Sequence, residues 1–264
     1  MKNKSRQFCT QYGPYALVAG GSDGLGFAFA EALAGRGLNL VLIAREKDRL
    51  LERAGRLKDQ YGVDIISFVA DLSDYENIKK LISGLHVSIG LLVYNAAFAP
   101  IGLFENISEE HLALTAAVNT RTPLLLAKLL SAAMIKNGRG GIILMSSLAG
   151  GQGSPKLAAY AASKSYNAVL AEGLWKELKP HGVDVIACIA GAILTPGYQQ
   201  AGQGKAAPGT LHPSRIAEQT LKALGKGPIV IPGIVNKIGR FVLTRLLPRK
   251  TSIAIMAKNT GDLS

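Results

Sequence analysis

The stretch YALVAGGSDGLG, residues 15–26, decides the fold of this 264-residue chain. A short apolar segment typical of a buried strand runs into a glycine-rich turn, and the helix-forming segment FAFAEALAGRG follows at residues 27–37. Gly20, Gly24 and Gly26 allow a tight turn and let the backbone approach a phosphate group, which the helix N-terminus would face. The spacing G-x-x-x-G-x-G is neither the G-x-G-x-x-G fingerprint nor a P-loop. It predicts a nucleotide-binding turn, with a plain helix-opening turn as the alternative.

Apolar runs rich in valine, isoleucine and leucine alternate with longer amphipathic stretches along the rest of the chain. Strands are predicted near residues 15–19, 39–44, 64–69, 90–94, 141–146, 183–189 and 228–231. Helices are predicted near residues 25–36, 46–61, 75–83, 108–136, 156–180 and 214–224. This alternation is typical of βαβ units joined by right-handed crossovers. We therefore predict a single-domain α/β fold, a Rossmann-type doubly wound parallel sheet of about seven strands with helices on both faces.

The chain length fits one large domain, here residues 15–233, between a basic N-terminal extension (1–14) and a basic amphipathic C-terminal segment (234–264). Within the domain, the polar, glycine-rich residues 197–213 are predicted to form a mobile substrate loop. Most of the formal charge of +12 lies in the two ends of the chain, because the stretch from 214 to 264 is strongly basic. The middle of the chain is therefore not built as a nucleic-acid groove, and no nucleic-acid partner is expected.

Cys9 and Cys188 provide neither a disulfide framework nor a metal-binding spacing, which is typical of a reducing compartment. The four histidines are scattered without a paired helical spacing, so no metal site is predicted. The first residues lack the apolar core of a signal peptide, and no apolar run approaches the ~20 residues of a membrane span. We expect a cytoplasmic protein.

The C-terminal segment contains a predicted amphipathic helix. Its apolar stripe consists of Val235, Ile238, Val242 and Leu246, and its other stripe of Lys237, Arg240 and Thr244. Basic amphipathic helices of this kind cover a core or a partner subunit, or they lie on an anionic membrane surface. Peripheral membrane contact and packing therefore both stay open at this point.

Tyr160 and Lys164 lie four residues apart in YAASKSYNAVLAEGLWKEL, residues 160–178. Four residues make about one helical turn, so the phenol and the ammonium group face the same way. The ammonium group is expected to lower the pKa of the phenol below its usual value of about 10, towards one useful for proton transfer. Ser147, at the end of a predicted strand, can hydrogen-bond a substrate oxygen. A lone Y-x-x-x-K also arises by accident in lysine-rich helices, so the prediction depends on the independent glycine turn.

Arg45 follows the second predicted strand, where a Rossmann-type fold places the residue that faces the adenosine ribose. A carboxylate at this position suits NAD, whereas a guanidinium suits the 2′-phosphate of NADP. Arg45 thus predicts NADP(H), although the adjacent Glu46 leaves NAD open. Asp71 and Leu72 end the third strand and could contact the adenine, unless Asp71 is only a helix N-terminal charge.

Together these residues resemble the short-chain dehydrogenase/reductase family over residues 15–233. Five signals occur in the family's order: GGSDGLG, Asp71-Leu72, the segment 94–97, Asn119, and Ser147 with Tyr160 and Lys164. The glycine loop and second strand most resemble the branch of hydroxysteroid dehydrogenases and long-chain 3-oxoacyl-CoA reductases. The resemblance implies an oxidoreductase that interconverts a ketone and a secondary alcohol on a bulky apolar small molecule. It also implies a homodimer or homotetramer.

The resemblance further implies a role for each site residue. The catalytic tetrad would be Asn119, Ser147, Tyr160 and Lys164. Tyr160 would exchange a proton with the substrate oxygen that Ser147 orients, Lys164 would hold the nicotinamide ribose, and Asn119 would anchor a water relay to Lys164. The cofactor would contact Tyr160 and Lys164, and also Gly20, Ser22, Asp23, Gly24, Leu25, Gly26, Arg45, Asp71, Leu72, Asn95, Ala96, Gly191, Ile193 and Thr195.

Three positions depart from the family's pattern. Ala19 replaces a threonine, Tyr94 replaces the first residue of Asn-Asn-Ala-Gly, and Ala190 replaces a proline, which predicts a less rigid loop after the sixth strand. None of these changes removes a group required for hydride transfer. The alternative function is a non-catalytic nucleotide-binding regulatory or scaffold protein of the same fold, against which the intact tetrad argues.

Overall fold

A computed structural model of the protein describes residues 2–194 and 207–261. Seven parallel strands form one sheet in the order β3-β2-β1-β4-β5-β6-β7. The strands are β1 (Tyr15–Ala19), β2 (Asn39–Ala44), β3 (Ile65–Val69), β4 (Ile89–Tyr94), β5 (Gly140–Ser147), β6 (Val183–Ala190) and β7 (Ile229–Val230). The predicted fold class is confirmed, and each predicted strand matches within one residue at either end.

Helices cover both faces of the sheet. They are α1 (Lys2–Tyr12), α2 (Gly24–Ala34), α3 (Lys47–Tyr61), α4 (Tyr75–Ser83), α5 (Glu109–Ala116), α6 (Thr122–Lys136), α7 (Ala158–Leu178), α8 (Pro213–Ala223), α9 (Ile234–Phe241) and α10 (Arg249–Thr260). The strand order reverses between β1 and β4, so the loops after these two strands diverge at the carboxyl edge of the sheet. A crevice at such a reversal is where open α/β sheets bind ligands.

The core consists of two apolar layers, because successive residues of a strand point to opposite faces of the sheet. On one face, α2 and α8 bury Phe29 and Ile216 against the strands. On the other face, α6 and α7 bury Leu126 and Ala171. Two-sided burial explains why the strands are nearly continuous apolar runs.

The predicted helix at residues 108–136 is divided by a π-helical turn, Ala117–Arg121, between α5 and α6. Two buried polar side chains engage carbonyl groups of this turn: the Tyr94 hydroxyl donates to the Val118 oxygen (2.6 Å), and Asn167 Nδ2 donates to the Asn119 oxygen (3.0 Å). A carbonyl that accepts from a side chain is less available to the α-helical ladder, which favours a widened turn. The turn carries Asn119 into the interior of the protein.

The N-terminal extension forms α1, a helix that the sequence analysis does not predict. Tyr12 is buried at the amino ends of the central strands, where its hydroxyl donates to Asp184 Oδ2 (2.8 Å). The Arg36 guanidinium lies 5.5 Å from the centre of the Phe8 ring. These contacts attach α1 to the edge of the sheet opposite the crevice.

The C-terminal segment is also helical, with α9 continuing into a π-helical turn, Val242–Leu246, before Pro248 and α10. Arg249 Nη1 donates to the carbonyl of Gly151 in the loop after β5 (2.9 Å), so the segment packs beside that loop. Ile238 and Phe241 on α9 are more than half exposed, at 58% and 57%. None of the helices in the described ranges has the length and apolar character needed to cross a membrane.

Candidate active site

A cleft of about 440 Å³ lies at the carboxyl edge of the sheet, where the strand order reverses. Of the residues predicted to contact a cofactor, those that line it are Gly20, Ser22, Asp23, Leu25, Arg45, Asp71, Leu72, Asn95, Ala96 and Ile193. Gly24, Gly26, Gly191, Tyr160 and Lys164 are not among the lining residues, and Thr195 lies outside the described residues. Ten predicted residues from five separate loops or strand ends therefore converge on one cleft.

The glycine turn is shaped for close backbone approach. Gly20 and Gly24 have φ angles of +80° and +52°, which other residues rarely adopt. A Cβ atom on Gly26 would lie 1.8 Å from the carbonyl oxygen of Gly20, so no side chain fits there. Asp23 caps α2 through a bond from the Gly24 N–H to Oδ1 (2.8 Å), and Asn95 Nδ2 donates to the Gly20 oxygen (3.3 Å). The turn is thus fixed at both ends beside the cleft.

The end of the cleft beside β2 carries two guanidinium groups. Arg45 is exposed at the end of β2, and Arg49 lies one helical turn later on α3. Arg49 Nη1 pairs with Asp23 Oδ2 at 3.0 Å, which joins α3 to the cap of α2. The sequence analysis missed Arg49, although its position in the first turn of the predicted helix, four residues after Arg45, was a usable signal.

Ser147, Tyr160 and Lys164 are neighbours in space. Tyr160 forms a side-chain hydrogen bond with Ser147, and Lys164 Nζ lies 5.4 Å from the centre of the Tyr160 ring. Lys164 is buried, at 3% exposure, and its Nζ donates to the carbonyl oxygen of Met145 on β5 (3.1 Å). Three side chains of the predicted catalytic tetrad are therefore brought together between the end of β5 and α7.

The pKa values of this cluster correct one prediction. Burial raises the pKa of Tyr160 above its usual value of 10.0, and the hydrogen bond with Ser147 only partly offsets this effect. Burial also lowers the pKa of Lys164 to about 8, while the Cys188 thiol raises it slightly. The prediction that Lys164 lowers the pKa of Tyr160 below 10 is wrong for this structure, because desolvation of the phenol is the larger effect.

Asn119, the fourth predicted catalytic residue, fixes the loop after β4. Its side chain accepts from the Phe98 N–H and donates to the Phe98 carbonyl, both at 2.8 Å, and it donates to Ser163 Oγ at 3.1 Å. Its own carbonyl accepts from Asn167. The sequence analysis missed Asn167. The one signal available for it was its position about one helical turn after Lys164. In the described part of the chain, Asn167 Oδ1 is buried without a hydrogen-bond partner.

A third missed residue, Asn236 on α9, holds the loop after β6. Asn236 is buried, and its Nδ2 donates to the carbonyls of Pro232 (2.9 Å) and Gly209 (3.0 Å). A Cβ on Gly191 would lie 2.6 Å from Asn236 Oδ1. Ile193 also forms a β-bridge with Leu211, so the two described ends of this loop lie side by side. No signal in the sequence connected Asn236 to this site.

Within residues 2–194 and 207–261, no three histidine, cysteine, aspartate or glutamate side chains are grouped in a way that could hold a metal ion. The cleft instead offers backbone N–H groups at the start of α2 and two guanidinium groups at its end beside β2. These donors suit a phosphate-bearing organic cofactor.

Sequence comparisons find similar proteins whose names refer to reductases and dehydrogenases. The very-long-chain 3-oxoacyl-CoA reductase of Phaeosphaeria nodorum is 33% identical over 81% of this chain, which spans 64% of that reductase. The 7beta-hydroxysteroid dehydrogenase of Clostridium sardiniense is 29% identical over 87% of this chain and 89% of its own length. A human protein named inactive hydroxysteroid dehydrogenase-like protein 1 is 34% identical over 70% of this chain and 57% of its own.

Comparisons with solved structures also find dehydrogenases. A structure from a study of 7beta-hydroxysteroid dehydrogenase stereoselectivity has a TM-score of 0.88 at 26% identity, covering 95% of this chain and 99% of its own. A short-chain dehydrogenase from Sphingobium yanoikuyae in complex with NADPH has a TM-score of 0.76 at 26% identity, covering 89% and 96% of the two chains. A model of the short chain dehydrogenase family matches residues 14–206. The chain therefore belongs to the short-chain dehydrogenase/reductase family of oxidoreductases.

Proposed function

We propose that this protein is an NADP(H)-dependent oxidoreductase that interconverts a ketone and a secondary alcohol on a bulky apolar small molecule. The observation that carries the proposal is the cluster of Ser147, Tyr160 and Lys164 at the carboxyl edge of the sheet, the edge that also holds the cleft with its glycine turn and two arginines. When bound, the cofactor supplies or accepts the hydride at the substrate carbon. The residues of the chain bind and orient the reactants and move the proton.

Tyr160 carries the proton in this proposal. Its raised pKa keeps the phenol protonated near neutral pH, so Tyr160 Oη donates a proton to the carbonyl oxygen during reduction and accepts it back during oxidation. Ser147 orients that oxygen by a hydrogen bond. Lys164 holds the cofactor ribose and stabilises the phenolate as it forms, because the buried ammonium charge lies close to the Tyr160 ring.

The names of the relatives support the substrate class. The names of both relatives indicate an oxygen-bearing carbon on a large molecule with an apolar part, a very long acyl chain in one case and a steroid in the other. The chain spans about two thirds of the length of that reductase, so the substrate of this protein is a proposal of its own. Exposed apolar side chains around the carboxyl edge, such as Phe104 and Leu194, agree with an apolar substrate.

A second function, a nucleotide-binding scaffold without turnover, is favoured by one observation, namely the relative whose name calls it inactive. Such a protein would bind the cofactor and show no reaction with any ketone. The proton donor Tyr160 and its neighbours are in place here, which supports the catalytic function.

The Tyr160→Phe substitution separates these two functions. We expect the variant to bind NADPH within about twofold of wild type and to lose at least 99% of ketone reduction, since general acid catalysis contributes roughly 10²–10⁴-fold. The measurement is NADPH oxidation with bulky ketones together with calorimetric binding. Tyr166→Phe, an exposed position on the same helix, is the control. Wild-type turnover in the Tyr160 variant would remove Tyr160 from the mechanism, and a wild type without turnover would favour the scaffold.

The buried ammonium group of Lys164 predicts a pH-dependent stability. The pKa of Lys164 falls from 10.5 to about 8 on folding, so the folded protein binds fewer protons than the unfolded chain between these values. Its stability should therefore rise with pH, by about 2 kcal/mol between pH 8 and pH 10 from this group alone. Urea unfolding of the cofactor-free protein should show this slope in wild type and in Lys176→Met, and should lack it in Lys164→Met. Parallel profiles for all three proteins would contradict the assignment.

The cofactor preference follows from the two guanidinium groups of the cleft. A charge-assisted hydrogen bond contributes about 1.5–3 kcal/mol, so Arg45→Ala and Arg49→Ala should each weaken NADPH binding about tenfold or more. NADH binding should change little, because NADH lacks the 2′-phosphate. Arg56→Ala, on the same helix but outside the cleft, is the matched control in a calorimetric titration. Tighter binding of NADH than of NADPH by wild type would instead favour Glu46 as the ribose ligand.

We propose further that the protein is cytoplasmic and forms a homodimer or a homotetramer. We also propose that it contacts a membrane surface through the apolar side of α9. The support is the exposure of Ile238 and Phe241 beside basic residues such as Lys237. A truncation before α9 would also remove Asn236, so surface substitutions are the better test. Wild type should co-sediment with vesicles of anionic lipid, and the Ile238→Ser/Phe241→Ser protein should not. Equal co-sedimentation of wild type and the double variant with the vesicles would exclude this membrane contact. The oligomeric state is measured separately, as the molar mass from light scattering.

A further inference from the structure

A second cavity, of about 310 Å³, lies behind the catalytic serine and shares no lining residue with the cofactor cleft. Its lining comes from the end of β5 with the glycine pair of the following loop, from α7, from Ile189 on β6 and from the C-terminal segment. Its volume falls at the lower end of the range for small-molecule sites. The cofactor proposed for the cleft does not account for it.

Two guanidinium groups of the C-terminal segment line this cavity. Arg240 lies at the end of α9 and is partly buried, and Arg245 lies in the following π-helical turn and is exposed. In the described part of the chain, no carboxylate lies within 4.0 Å of either guanidinium. Neither side chain donates a hydrogen bond to a described residue. Arginine carries five donors, and a partly buried arginine normally has an acceptor for them.

The charges around Arg240 are unbalanced. Burial lowers the pKa of Arg240, the carboxylate of Glu172 on α7 opposes this effect, and the nearby Arg245 adds to it. Glu172 is the single acidic residue that lines the cavity, against two arginines. The remaining polar side chains of the lining are hydroxyls, including those of Ser165 and Thr244, although the Thr244 hydroxyl donates to the Arg240 carbonyl (2.8 Å). The cavity therefore keeps a net positive charge and unused donors.

The wall that carries these arginines is held in place. Arg249 Nη1 donates to the Gly151 carbonyl, and a Cβ on Gly151 would lie 3.1 Å from Thr244 Cγ2. The C-terminal segment is thus in van der Waals contact with the loop that begins at Ser147. A ligand that bridges Arg240 and Arg245 would consequently lie within one loop of the catalytic cluster.

We propose that Arg240 and Arg245 bind an oxyanion, a carboxylate or a phosphate group, in this cavity. Planar guanidinium groups recognise both kinds of oxyanion through paired hydrogen bonds. Two sources have this chemistry: an acidic group at one end of the substrate, and a free anion. The first source rests on the proposed oxidoreductase function and would define the substrate as a bulky ketone or alcohol that carries an acid. The second source does not depend on that function.

The binding site is tested by calorimetric titration of the full chain with inorganic phosphate, with and without saturating NADPH. Wild type should bind phosphate saturably in the presence of NADPH, and Arg240→Ala/Arg245→Ala should weaken this binding at least tenfold. Lys237→Ala, an exposed basic position on the same helix, should bind within twofold of wild type. NADPH affinity serves as the measure of correct folding, because the cofactor cleft does not include these arginines.

The absence of saturable phosphate binding, or equal binding by the double variant and wild type, would overturn the proposal. If NADPH does not bind to any of these proteins, the titration without NADPH still reports on the arginines, so a failure of the proposed function is distinguishable. The source of the anion is then decided with a bulky ketone acid and its methyl ester. If the double variant raises the KM for the ketone acid at least tenfold over wild type and leaves the KM for the methyl ester unchanged, the site binds the acidic group of the substrate. If the double variant loses phosphate binding but keeps the wild-type ratio of the KM for the acid to the KM for the ester, the site binds a free anion.

Discussion

The burial of Lys164 is the constraint on which the arrangement of the site depends. Its Nζ donates to the Met145 carbonyl, and its own carbonyl accepts from Ser146 Oγ at 2.7 Å, so one residue of α7 is attached twice to the end of β5. Ser147 follows on the strand, and Tyr160 precedes Lys164 by one helical turn. The relative position of the serine and the tyrosine is therefore set by a lysine that lies between helix and strand. The low pKa of Lys164 shows that placing its charge there opposes folding.

Asparagine side chains fix the loops that the lysine does not reach. Asn119 binds both backbone groups of Phe98, Asn167 binds the carbonyl of Asn119, and Asn236 binds two carbonyls beside the loop after β6. An asparagine carries a donor and an acceptor on one short, flat group, so it can replace a backbone partner where regular structure ends. In this protein the three asparagines act on loops from β4, from the π-helical turn and from β6. The C-terminal segment is for this reason part of the site and not only a tail.

The fold could be predicted from the sequence because its main signals are local. Continuous apolar runs such as LNLVLIA follow from burial on both faces of a parallel sheet, and the glycine spacing reports a turn in which Gly26 has no room for a side chain. The helix α1, the π-helical turn and the role of Asn236 depend on partners far away in the chain, such as Asp184 for Tyr12. The direction of the Tyr160 pKa depends on the burial of the phenol and on its hydrogen bond with Ser147, and the spacing of Tyr160 and Lys164 in the sequence contains neither.

The two edges of the sheet differ in how their polar groups are satisfied. At the amino edge, Tyr12 pairs with Asp184, and α1 covers the strand ends. Near the same helix, Arg36 pairs with Glu218 through two hydrogen bonds of 2.8 and 2.9 Å. At the carboxyl edge, buried Lys164 has a neutral carbonyl as its partner, and the arginines of the C-terminal segment lack a carboxylate within ion-pair distance among the described residues. A buried charge without an oppositely charged partner lowers the stability of the folded protein, and a bound ligand of opposite charge raises it again. Binding of the proposed anion at the carboxyl edge would therefore be expected to stabilise this fold.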